Sequence, residues 1–167
     1  MHASGLKNTP TLPLPLTIPL RLFSHRQHSK IMSVFLNKVL AEQLSDGDLN
    51  FLDKRNLCIT VSDTNTHYHI GLLNNKLIAT SPDSVSDLTI KAKLYDLLTL
   101  IARQQDPDTL IFQRKMIMEG NTELGLEVKN FLDGIDLNSN KIYPVIETLL
   151  AKALPLYKKI FSNSNRT

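Results

Sequence analysis

Between residues 57 and 90 the chain repeats apolar side chains at every second position, and on both sides of that block the spacing changes to that of a helix. A two-residue period puts one face of a strand against a core, whereas a three-to-four-residue period does the same for a helix, so the switch fixes the layer type. Leu57, Ile59 and Val61 alternate with Cys58, Thr60 and Ser62, and Tyr68, Ile70 and Leu72 alternate with His67, His69 and Gly71. Asn74-Asn75 suits the positive φ angles of a two-residue hairpin turn, which leads into a strand from Lys76 to Thr80. After the loop "SPDSVSD", Leu88 and Ile90 mark a further short strand.

Helices flank this block. Ser24 and Gln27 form a capping box ahead of Ile31, Val34, Phe35 and Val39, which predicts one helix from about His25 to Leu44, ended by Asp46-Gly47-Asp48. Leu94, Leu97, Leu98 and Ile101 predict a helix of about three turns. Asp106-Pro107-Asp108 supplies a cap, a first-turn proline and an acid at the positive end of the next helix dipole. Lys115 to Glu119 reads as a strand with both faces covered, Met116 and Met118 on one and Ile117 on the other. Asn121 then caps a helix whose stripe is Leu124, Val128, Phe131, Leu132 and Ile135, with Gly134 as its expected stop. A last helix, about Lys141 to Phe161, contains Pro155, which is expected to kink it. Central strands between helices predict an α+β fold, one mostly antiparallel sheet covered by helices.

The organisation is read as an apolar Pro-rich segment 1–23, a core domain 24–137 and a C-terminal amphipathic helix in 138–167. In "TLPLPLTIPLRLF" three prolines interrupt any helix and Arg21 follows at once, so the run is neither a signal peptide nor a membrane span. It reads as a retained segment, either an extended strap for a groove or a membrane surface, or a disordered leader. On the last helix, Ile142, Ile146, Leu149, Leu150, Ala153 and Tyr157 lie beside Lys152, Lys158 and Lys159, the pattern of a membrane-surface helix or of a helix packed on the domain.

Few chemistries remain open. The 19 basic and 16 acidic residues give a net charge of +3 on a mixed surface, and aromatics are only 6%, which argues against nucleic acid as a partner. A single cysteine, Cys58, excludes an internal disulfide and suits a reducing, cytoplasmic setting. His67 and His69 share one strand face and would need a third metal ligand such as His25 or His28; an exposed polar face explains them as well. Cys58 reads as a small buried thiol, with no neighbour to activate it as a nucleophile. Phosphate-cradling, zinc-protease and serine-hydrolase motifs are lacking, so no catalytic centre, metal or cofactor is expected.

What the chain offers instead is apolar lining. Met116, Met118, the helix around Leu97 and the helix with Gly125 converge on one side of the sheet, where methionine suits either an irregular guest or a packed core. An interior glycine costs a helix about 1 kcal/mol relative to alanine, so a neighbour should need the missing side chain of Gly125.

Phe112, "RKMIMEG", Asn121 and "TELGLEVKNFL", preceded by "DLTIKAKLYDLLTLIA", resemble the sterol carrier protein 2-like (SCP2) lipid-binding family over about Leu36 to Leu137. Within it, "ARQQDPDTLIFQRKMIMEGNTELGLEVKNFLDGIDL" is similar to the bacterial ubiquinone-biosynthesis accessory factors. One departure is Arg114, where many sterol carrier domains have glycine; it argues against carrying over sterol specificity. The resemblance implies a five-stranded sheet and helices enclosing an apolar tunnel lined by Leu97, Leu98, Ile101, Phe112, Met116, Met118, Leu124, Gly125, Val128 and Leu132. It implies a non-catalytic factor in oxygen-independent ubiquinone synthesis, binding a polyprenylated quinone precursor or phospholipid and presenting it to hydroxylases; peripheral membrane contact is the expectation from the last helix. The alternatives are a general phospholipid or fatty-acyl carrier, and a scaffold of a biosynthetic complex.

Overall fold

The computed structural model describes Pro10 and residues 25–135 and 143–161. The rest of the Pro-rich segment, the Ser24 cap, and Lys141 and Ile142 lie outside the described residues.

The period-two block forms the centre of a five-stranded sheet ordered β3-β2-β1-β4-β5, with β1 Leu57–Val61, β2 Thr66–Leu73, β3 Lys76–Ala79, β4 Leu88–Ala92 and β5 Met116–Gly120. Three of the four pairings are antiparallel and β1 with β4 is parallel. Asn74 and Asn75 take φ of 49° and 56°, the left-handed pair that a two-residue hairpin demands. Register aligns Ile70, Leu57, Leu88 and Gly120 in one row across the sheet, and Tyr68, Ile59, Ile90 and Met118 in the next. These rows belong to the core face. The other face carries Cys58, Thr60, His67, His69, Lys91 and Glu119, with Lys91 and Glu119 in a 2.6 Å ion pair.

Helix α1, His25–Val39, packs on β2 and β3. Asn37 in α1 treats the sheet edge as a strand would: its Oδ1 accepts from Leu77 N at 2.9 Å and its Nδ2 donates to Leu77 O at 2.7 Å. An edge strand otherwise exposes such groups to other chains. The single helix expected up to Leu44 is in fact two, because the chain bends at Leu40 (φ −104°, ψ 23°) and restarts as α2, Ala41–Asp46. The bend brings Val39, Leu40 and Leu44 all into the core. Gly47, at φ 82°, stops α2, and a 3₁₀ turn follows at Asn50–Leu52.

Helix α3, Leu94–Ile101, has eight residues, about two turns rather than three. Asp106 caps α4, Pro107–Phe112, accepting from Thr109 N at 2.7 Å, which holds its carboxyl below the usual aspartate range. At the end of α4, Lys115 N donates to Leu110 O and Arg114 N to Ile111 O, a double-bonded stop that needs a left-handed residue. Arg114 supplies it at φ 56°. Such a position ordinarily favours glycine, and Arg114 holds the conformation without one. Gly120 (φ 126°) sits so close to the Asp87 carbonyl oxygen that a side chain would collide with it.

Asn121 caps α5, Thr122–Gly134, with its side chain accepting from Leu124 N. Gly134 is still helical; the stop expected there falls at Ile135, which turns extended (φ −61°, ψ 124°) and buries its side chain. Helix α6, Tyr143–Phe161, runs through Pro155 and packs on α3. The Tyr143 hydroxyl donates to Ile101 O at 2.8 Å, joining the start of α6 to the end of α3.

Candidate functional site

The core face of β4 and β5, roofed by α5 and approached by α3, gathers most of the residues expected to line an apolar interior. Met116, Leu124 and Val128 are fully buried in one cluster with Leu88, Ile90 and Leu110. Leu97, Met118 and Leu132 are partly buried and pack against it. Leu98 and Ile101 are half-buried on α3 outside that cluster. Phe112 stands apart, 90% exposed at the end of α4, because the tight turn after it directs the chain straight into β5. Gly125 lies in the roof: a methyl group there would meet only Leu88 Cδ1, at 3.6 Å, an ordinary contact.

Two surface depressions lie on the helical side of the domain. A cleft of about 520 Å³ runs between α2 and the C-terminal half of α5; Phe51, Phe131 and Ile135 form its floor and all three pack in the core. The Phe51 and Phe131 rings meet at a tilt, centroids 5.9 Å apart. Its mouth carries Glu42, Asp46, Asp48 and Glu127. A groove of about 510 Å³ lies beside α1, floored by Val34, Ala41 and Leu44 and edged by Lys38 and Lys76. One mouth is acidic and the other basic.

A buried polar cluster under α6 has no counterpart in the sequence reading. Asp96 (1% exposed) and Thr99 are the fully buried residues of α3, more so than its leucines. Asp63 Oδ1 accepts from Leu94 N at 2.9 Å, capping α3. The buried Tyr157 hydroxyl has no hydrogen-bond partner, and burial together with the charges of Asp63 and Asp96 pushes its pKa well up. Asp96 and Thr99, polar residues three apart inside a leucine-rich helix, were the available signal.

The histidines divide between the two sheet faces. His67 Nδ1 lies 3.0 Å from Thr60 Oγ1, and His69 Nε2 4.0 Å from the Cys58 sulfur. His28, one of the two suggested third ligands, instead packs edge-on against Tyr68, whose strand position belongs to the core face. Among the described residues no group of three or more metal-ligating side chains comes together. Cys58 is buried.

A five-stranded sheet roofed by helices over an apolar, methionine-bearing interior defines a small α+β domain, and residues 36–133 match the SCP-2 sterol transfer family. The chain belongs to that family. It is similar to the ubiquinone biosynthesis accessory factor UbiT of Escherichia coli strain K12, with 39% identity over 125 residues, covering 75% of this chain and 71% of the relative. The UbiT protein of Escherichia coli O157:H7 matches equally. Among solved structures, the UbiJ-SCP2 ubiquinone synthesis protein superposes with a TM-score of 0.51 at 18% identity, covering 61% of this chain and 90% of that one, a likeness of fold.

Proposed function

We propose that this protein is a non-catalytic lipid-binding accessory factor of ubiquinone biosynthesis, which takes the prenyl tail of a quinone precursor between the core face of the sheet and α5 and presents the ring to hydroxylases. The observation that carries this reading is the 39% identity, across three quarters of the chain, to a relative named for that pathway. The geometry supports it. Met116 and Met118 have flexible, polarisable side chains that can repack around a tail, and Gly125 leaves room beside Leu88. Each Å² of prenyl surface taken out of water contributes about 25 cal/mol, so a long tail is held strongly by an apolar interior.

The acidic mouth between α2 and α5 favours a neutral phenol or quinone head over a phosphate, since like charges at a partly desolvated site repel. Phospholipid is the second reading, and Lys38 and Lys76 beside the other groove favour it. Denaturing extraction of the purified protein followed by lipid mass spectrometry tests both. Prenylated phenols or quinones support the first reading, phospholipid alone supports the second, and a protein free of lipid from a lipid-rich host opposes both.

A further inference from the structure

The two sides of α6 are both apolar, and among the described residues only one of them packs on the domain. Tyr143, Leu154 and Tyr157 face the domain, where the Tyr157 ring meets Tyr95 at a tilt (5.5 Å) and Phe161 edge-on (4.9 Å). Val145, Leu149, Leu156 and Ile160 are 54–62% exposed, far more than scattered surface leucines require. At about 100° per residue these four fall within one narrow stripe, opposite Leu154, and the stripe runs for about 22 Å along the helix. The same geometry sets Lys152 and Lys159 on the edge of the stripe, whereas Lys158 and Glu147, the one acid in α6, fall on other sides. Ile146, Leu150 and Tyr157, which the sequence grouped with Leu149, are partly covered instead.

We propose that this outer stripe of α6 docks the protein on an anionic bilayer surface. An apolar strip edged by lysines matches what such a surface offers: acyl-chain boundary beneath, negative head groups above. No described helix is long and apolar enough to cross a membrane, so the contact is one of lying on the surface. The helix lies flat, with Val145, Leu149, Leu156 and Ile160 immersed and Lys152 and Lys159 among the head groups. This docking is independent of which lipid the interior carries.

The test is co-sedimentation of the full chain with vesicles of phosphatidylcholine, with and without phosphatidylglycerol, at two salt concentrations. The protein should bind the phosphatidylglycerol vesicles, less at high salt. Combined Leu149→Glu and Leu156→Glu should weaken binding tenfold or more, and so should combined Lys152→Ala and Lys159→Ala, at roughly fivefold per lysine. Lys158→Ala should change it by less than about twofold. All are surface positions, and circular dichroism melts check that each variant is folded; should the glutamate pair unfold, the alanine pair carries the test. Extracted lipid measured in parallel should be unchanged, which separates this docking from cargo binding. A folded Leu149/Leu156 variant that binds as the parent does, a parent that ignores anionic vesicles, or a parent dimer that the glutamates split would each overturn the proposal; the last would make the stripe an interface between two copies.

Discussion

Gly125 of α5 stands over Leu88 of β4, and a methyl group at Gly125 would touch Leu88 Cδ1 at 3.6 Å and nothing else. The glycine is therefore not demanded by a close backbone approach. Gly125→Ala should stabilise the fold by a few tenths to about 1 kcal/mol, through helix propensity and a less flexible unfolded chain. Gly125→Leu reaches further, toward Leu88 and its neighbours, and should either overpack at a cost of about 1–3 kcal/mol or fold and hold less lipid. Thermal melts with lipid content measured alongside decide this; a destabilised Gly125→Ala, or a folded Gly125→Leu with full lipid content, contradicts it.

Gly120 should behave in the opposite way. Its φ of 126° and its contact with the Asp87 carbonyl leave no place for a Cβ, so Gly120→Ala should cost at least about 2 kcal/mol. Chemical denaturation of the pair Gly120→Ala and Gly125→Ala, one falling and one rising, is the clean comparison.

Arg114 holds a left-handed turn that costs a residue with a Cβ about 1–2 kcal/mol relative to glycine. Arg114→Gly should raise stability, by somewhat less than that once the added freedom of the unfolded chain is counted. An unchanged or lower midpoint in urea would show that Arg114 makes up the difference through contacts of its own.

The Tyr157 phenol is buried near Asp63 and Asp96, and its pKa lies well above the ordinary 10.0. A raised phenol pKa means that the unfolded chain ionises first, so relative to the neutral form the phenol costs no stability below about pH 10 and lowers it as the pH rises beyond that. Melting temperatures followed from neutral to strongly alkaline pH should fall less steeply for Tyr157→Phe than for the parent. At neutral pH the substitution should be neutral or stabilising by about 1 kcal/mol, since the hydroxyl it removes is unsatisfied.

Local chemistry was legible in the sequence. The Asn74-Asn75 hairpin, the Asp106 and Asn121 caps and the α5 stripe all form as their residues dictate, because each depends on neighbours within one or two turns of chain. What depends on distant packing was not. The bend at Leu40 is set by the core that α1 and α2 share, and Asp96 and Thr99 are buried because α6 lies over α3. On α6 the sequence holds two apolar stripes, and which one faces outward is decided by the Tyr143, Leu154 and Tyr157 contacts. Phe112, expected in the lining from the family resemblance, shows the same limit: it is 90% exposed just before the Arg114 turn.

The account rests on a prenyl tail entering beside Met116 and Met118. Methyl-labelled methionine spectra of lipid-stripped protein, titrated with a long-chain prenylated phenol, test that most directly, with Met116→Leu and Met118→Leu assigning the peaks. Saturable shifts of the Met116 and Met118 methyls, with Met32 on α1 much less affected, are the predicted result. Shifts confined to Met32, or no shift at either β5 methionine while the ligand demonstrably binds, would contradict it.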